Sequence, residues 1–189
     1  MTTYRKMELE RFAVSKIQGF FELPVMKSEE DLLKLDRYCS ETDTVICIKR
    51  HHYQLRYRCE KLDLKAIKFI SDDGLKASGA SLYGLLACVD GLITDYSSCG
   101  GDFALLRRPL FLYHADAEEY LRESRSFYFD IEKSPFLVAH DQAELEALID
   151  RTDAQAAREN CEALDRFFGT TETGHASEAV CRYIMERMN

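Results

Sequence analysis

The sequence predicts an α/β fold, a parallel sheet with helices on both faces, and three observations carry that expectation. Short apolar runs rich in β-branched residues alternate with segments of helical period. Those runs are apolar at consecutive positions rather than at every second one, as strands covered on both faces require. The run at 89–94 leads through adjacent hydroxyls and glycines into an apolar helix, the layout of a strand-to-helix turn at the carboxyl edge of such a sheet.

In chain order, residues 28–39 read as a helix with Ser28 as its cap and Leu32, Leu33, Leu35 and Tyr38 on its apolar side. The run TVICIK at 44–49 reads as a strand buried on both faces, and Lys49 ends it pointing outward without a role. Residues 66–70 form a second short strand. SLYGLLAC at 81–88 is an apolar helix feeding the strand at 89–94. The next helix, 98–106, stops before Pro109, and LFLY at 110–113 is another buried strand. A short amphipathic helix at 116–123 precedes an aromatic patch, Phe127, Tyr128 and Phe129, read as core. Asp141 with Glu144 resembles a capping box opening a helix that ends near Asp150, and helices at 153–168 and 175–188 close the chain.

Right-handed βαβ connections bring successive strand ends to one edge. His51, His52, Ser71, Asp72, Asp95, Tyr96, Ser97, Ser98, Tyr113 and His114 are therefore expected to share a rim, where open α/β folds collect ligands. At 189 residues the chain suits one domain.

With 33 acidic and 25 basic residues the formal charge is −8, which argues against a general nucleic-acid binder. Positive charge nevertheless concentrates in Lys49, Arg50, His51, His52, Arg56, Arg58, Lys61, Lys65 and Lys68. That corner suits a small anionic ligand, or is a solvated charge run. The 7 cysteines form no C-x-x-C pair, so reduced thiols of a cytoplasmic protein are expected, with no metal site. The amino-terminal MTTYRKMELERF has no apolar leader, and nowhere do about eighteen apolar residues run together.

The stretch LITDYSSCGGDFALL at 92–106 is the most telling. Adjacent serines where a helix begins meet unpaired backbone N–H groups and a positive dipole end, a setting suited to a diphosphate. The alternative is that Ser98 simply caps the helix. The string is not a G-x-S-x-G nucleophile elbow, because Asp95 and Cys99 stand where its glycines belong, and no Walker A loop occurs.

Taken together, LITDYSS, DFALL and the Arg108-Pro109 pair resemble the CDP-glycerol glycerophosphotransferase family, the teichoic-acid and capsule-type polymerases. LPVMKSEEDLLKLD at 23–36 is similar to the family's LPLLKSEEDLEKLN, and the segment Ile48, Lys49, Arg50, His51 resembles its IKLH strand end. LYGLL at 82–86, RSFYFD at 125–130 and MTTYR at 1–5 resemble LYELL, RGFYFD and MPTFR. Departures are His52 for a proline, Gly100 and Gly101 for bulkier residues, Ser126 for a glycine, and Thr173-Gly174 for the common DG. Two interior glycines weaken a helix by roughly 1 kcal/mol each.

The resemblance implies a Rossmann-like domain, the C-terminal, nucleotide-side half of a GT-B glycosyltransferase, filling 1–189 without its acceptor-side domain. It implies transfer of polyol phosphate from a CDP-glycerol or CDP-ribitol donor to a cell-wall or capsular polymer, with no cofactor. The other readings are a nucleotide- or partner-binding module without catalysis, or half of another nucleotide-sugar enzyme. The implied partner is an acceptor-side domain or subunit, through which the protein would meet the inner face of the plasma membrane. Thr94, Asp95, Ser97, Ser98 and Arg125 are the expected substrate-binding residues, and His51 the catalytic one, as imidazolium or general acid. The acidity of Asp95 favours fixing the turn over meeting phosphate. Arg125 could grip phosphate bidentately, form a surface salt bridge or stack on Phe127. His114, His140 and His175 receive no role.

Overall fold

In a computed structural model of the chain, the described residues are 28–49, 62–123 and 126–188. They form α1 (Glu29–Glu41), β1 (Ile46–Lys49), β2 (Ile67–Ile70), α2 (Asp72–Ala77), α3 (Leu82–Cys88), β3 (Leu92–Thr94) and α4 (Cys99–Ala104). There follow β4 (Leu110–Tyr113), α5 (Ala117–Glu123), a 3-10 turn (Ile131–Lys133), β5 (Leu137–Ala139), α6 (Gln142–Arg151), α7 (Ala154–Phe168) and α8 (Ala176–Arg187). Every strand pair is parallel: β1 lies beside β2, and β4 lies between β3 and β5. The predicted class holds.

Side-chain caps open most of these helices. Ser28, Ser71, Ser81, Asp141 and Asp153 each accept from a backbone N–H in the first turn. The reciprocal arm of the expected capping box reaches one residue further back: Glu144 Oε2 accepts from His140 N at 2.8 Å. α7 ends on Gly169 at φ 65°, a left-handed turn natural to glycine, with Thr170 N donating to Asp165 O at 2.8 Å.

Both faces of the β3-β4-β5 sheet are covered. Leu92 and Leu110 pack with Leu86, Phe103, Cys161 and Leu164 from α3, α4 and α7. Ile93, Phe111, Tyr113 and Ala139 face Leu145 and Leu148 of α6. On the other sheet, Leu32, Leu35 and Cys39 of α1 pack on Ile67 and Ile46. Tyr38 links the two regions, its hydroxyl donating to Asp150 Oδ1 at 2.7 Å.

Two strands differ from expectation. β1 is not buried on both faces: Cys47 is exposed and Ile46, Ile48 and Lys49 are only half-buried. Its hydrogen-bonded neighbour among the described residues is β2 alone, and α1 covers one side. β3 starts at Leu92 because Val89 serves as the C-cap of α3. At Gly91 a Cβ would come within 3.2 Å of Pro109 O, so glycine permits the approach in which Leu92 N donates to that oxygen at 2.9 Å. α2 and β5 appear in addition to the elements expected.

Asp36 fastens α1 to β2. Its carboxylate accepts from Lys65 N at 3.1 Å, Ala66 N at 2.8 Å and Ile67 N at 3.0 Å, with 7% of the residue exposed. Burial pushes its pKa up, but the three N–H donors outweigh it and hold the carboxyl below its ordinary value. Asp36→Ala strands buried donors and is expected to cost about 3 kcal/mol, at 1–3 kcal/mol per stranded group, read as a lower urea midpoint. Because the folded pKa is depressed, this contribution is complete above the unfolded carboxyl pKa and fades as pH falls through the folded one. The gap between wild type and Asp36→Asn should close over that acid window.

Candidate functional site

The turn from β3 into α4 presents its residues in two layers. Thr94 and Asp95 are buried, at 2% and 3% exposure, and Thr94 Oγ1 lies 3.8 Å from Cys99 Sγ. Both line the cavity of about 530 Å³ that separates the two sheets, with Ile48 and Lys49 opposite. Tyr96 is half-buried, donates to Asp116 Oδ1 at 2.9 Å, and packs on Tyr120 and Phe127 with ring centroids 4.1 and 5.0 Å away.

Ser97 and Ser98 form the outer layer. Ser97 is half-buried, and its Oγ accepts only a long 3.5 Å bond from Cys99 N. Ser98 occupies the N-cap position but has helical dihedrals and makes no side-chain cap bond. Its hydroxyl is exposed, so the capping explanation for this serine fails. The first turn of α4 is tight, with Gly100 N bonded to Ser97 O at 3.3 Å and Gly101 N to Ser98 O at 3.1 Å. A Cβ at Gly101 would meet open space, and one at Gly100 only ordinary contacts, so neither glycine is needed for room.

The rest of the LITDYSS…DFALL…Arg-Pro stretch is scaffold. Asp102 accepts from the Tyr83 hydroxyl at 2.9 Å, tying α4 to α3, and Phe103 and Ala104 are core. Arg108 donates from Nη1 to Ala87 O at 2.9 Å and Val89 O at 2.6 Å, holding the end of α3.

Lys49 does not extend into solvent as expected. Its side chain is 13% exposed and pairs with Asp72 Oδ1 at 2.8 Å, which joins the carboxyl ends of β1 and β2. Of the expected rim, Ser71, Asp72, Asp95, Tyr96, Ser97, Ser98, Tyr113 and His114 stand at carboxyl ends of parallel strands. His51, His52 and Arg125 lie outside the described residues, as do Arg50, Arg56, Arg58 and Lys61.

A grouping the sequence reading missed stands further along the same edge. His114 Nδ1 is 2.8 Å and His140 Nε2 3.0 Å from Glu132 Oε1, while His140 Nδ1 is 3.0 Å from Glu144 Oε2. The bonds to Glu132 and Glu144 raise the His140 pKa against desolvation, and the His140 bond holds Glu132 below its ordinary value. Among the described residues, His114, Glu132 and His140 are the group whose ligand atoms converge closely enough for one metal ion.

Comparison with known proteins places the chain among relatives of one kind. The family model described as CDP-Glycerol:Poly(glycerophosphate) glycerophosphotransferase matches residues 1–186. The teichoic acid ribitol-phosphate primase of Bacillus spizizenii is 34% identical over 155 residues, covering 82% of this chain and 38% of that protein. The teichoic acid glycerol-phosphate transferase of Staphylococcus aureus is 32% identical over 148 residues, covering 76% and 36%. Among solved structures, the wall teichoic acid polymerase TagF superposes with a TM-score of 0.69 at 25% identity, over 98% of this chain and 42% of that one. A variant of that polymerase soaked with CDPG gives 0.64 at 25% identity, over 100% and 44%. The chain thus spans less than half the length of these relatives.

Proposed function

The chain belongs to the CDP-glycerol:poly(glycerophosphate) glycerophosphotransferase family, and from that premise we propose that it is the donor-nucleotide part of a polyol-phosphate transferase that builds a cell-wall polymer. One observation carries the reading. Ser98 holds an exposed, uncapped hydroxyl beside Ser97 at a strand-to-helix turn on the carboxyl edge of a parallel sheet.

In the reaction an acceptor hydroxyl attacks the phosphorus of the glycerol or ribitol phosphate and gives its proton to a base. The bond to the CMP oxygen breaks, and CMP leaves with the electron pair and added negative charge. Ser97 and Ser98 donate hydrogen bonds to the diphosphate oxygens and stabilise that charge. Buried Thr94 and Asp95 hold the turn in place. His51 supplies an imidazolium, or a proton for the leaving group, and Arg125 grips phosphate. In this proposal the acceptor-side part of the assembly makes the attachment to the membrane face. No described helix is long and apolar enough to cross a bilayer.

Calorimetry of the purified chain with CDP-glycerol, CDP-ribitol and UDP-glucose tests the proposal. One equivalent of a CDP-polyol is expected to bind and UDP-glucose is not. Preference for UDP-glucose would make this half of another nucleotide-sugar enzyme. A partner-docking module is the second reading, favoured by one observation: α8 buries none of its residues and exposes Val180, Tyr183, Ile184 and Met185. Failure to bind any nucleotide would favour it.

A further inference from the structure

We propose that His114, Glu132 and His140 form a binding site for a divalent transition-metal ion of the zinc class, a site that goes beyond the donor reading and does not depend on it. The three side chains come from separate places in the sequence, and parallel pairing brings them together. His114 directly follows β4 and His140 directly follows β5, and His114 N donates to Ala139 O at 2.7 Å, locking the two strand ends side by side. Glu132 arrives from the 3-10 turn, whose Asp130 cap accepts from Glu132 N at 3.1 Å.

The chemistry of the donor set selects the ion. Two imidazole nitrogens and one carboxylate suit zinc and its neighbours, whereas magnesium and calcium take oxygen ligands. Spacing agrees. His114 Nδ1 and His140 Nε2 lie 2.8 and 3.0 Å from the same Glu132 oxygen. Zinc bonds of about 2.0–2.1 Å put tetrahedral ligand atoms about 3.3 Å apart, a few tenths of an ångström beyond these two separations, and all three ligand atoms already lie within 4.8 Å of one another.

Both ring nitrogens of His140 face carboxylate oxygens, Nε2 toward Glu132 and Nδ1 toward Glu144, an arrangement that an imidazolium fills with two N–H groups and a neutral ring with one. A cation between His140 Nε2, His114 Nδ1 and Glu132 takes the place of the Nε2 proton. Nδ1–H then stays on Glu144, the outer carboxylate that commonly orients a metal-bound histidine. On His114, 8% exposed, Nε2 is buried and meets no partner, so Nδ1 is the nitrogen through which the ring is held. Glu132 and His140 are half-exposed, which leaves the open side for water or an anionic ligand oxygen.

Cobalt(II), added to the chelator-stripped full chain, gives the test. One equivalent should bind with the ligand-field absorption of nitrogen and oxygen donors and without a thiolate-to-cobalt charge-transfer band. Zinc should displace it, and magnesium should not. His140→Ala and Glu132→Gln, on half-exposed side chains, should each weaken binding roughly 100-fold or more in variants whose thermal melts show them folded. Glu144→Gln should weaken it roughly 10-fold or more, the scale of an outer partner. A thiolate band would assign the metal to cysteine ligands, among them the exposed Cys47, Cys88 and Cys181 of the described residues, and overturn the proposal. Absence of saturable binding, or unchanged affinity in the His140 and Glu132 variants, would overturn it as well.

Discussion

Replacing both serines of the β3–α4 turn, Ser97→Ala with Ser98→Ala, is expected to weaken CDP-glycerol binding about 100-fold without lowering the melting temperature. In the proposed role each hydroxyl gives a phosphate oxygen a charge-assisted hydrogen bond worth roughly 1.5–3 kcal/mol, so losing two would remove about 3 kcal/mol or more. Stability is spared because Ser98 makes no cap bond and Ser97 has only a 3.5 Å contact to Cys99 N. Calorimetry and a thermal melt on the same preparations separate the two effects. A folded double variant that binds CDP-glycerol like wild type would remove both serines from the donor site.

The 189-residue chain by itself is expected to bind donor and to release no CMP in an acceptor-dependent way. In-line transfer needs an acceptor hydroxyl held a few ångströms from phosphorus, and such positioning is worth roughly 7–11 kcal/mol. The matched stretch accounts for 38% of the primase and 42% of the polymerase it resembles, so more than half of each comparator has no counterpart in these residues. Incubation with CDP-glycerol and a lipid-linked acceptor analogue, following CMP and polymer together, reads the result. Turnover at the rate of a full-length relative would require a complete site within these residues.

The sequence made the outline of the fold readable wherever one signal dominated. β4 matches its expected limits because LFLY is a continuous apolar run bounded by Pro109 and the polar His114-Ala-Asp segment. α1, α6 and α7 follow from Ser28, Asp141 and Asp153 standing ahead of apolar periods. α2 and β5 escaped for a shared reason: six residues with a central Gly74 and one buried leucine, or three residues after Pro135, are too short to show a period. That omission also hid the His114–Glu132–His140 group. With β5 unrecognised, nothing placed His140 at a strand end beside His114, although each histidine immediately follows an apolar run. The serine turn was legible because its residues are contiguous, while the exposure of Ser98 and the burial of Thr94 are set by tertiary packing, which local sequence does not encode.

Arg108 leads to a different kind of conclusion. Its guanidinium closes the carbonyls of Ala87 and Val89, and the adjoining Tyr83–Asp102 bond and buried Phe103 do related work. More than half of the recognisable stretch is thus masonry rather than machinery. A descendant that kept the masonry and exchanged Ser97 and Ser98 for alanine would still fold and still resemble its relatives. Recognition by pattern certifies the scaffold, and whether the proposed trade is still practised is read at the proposed site, Ser97 and Ser98 among its residues.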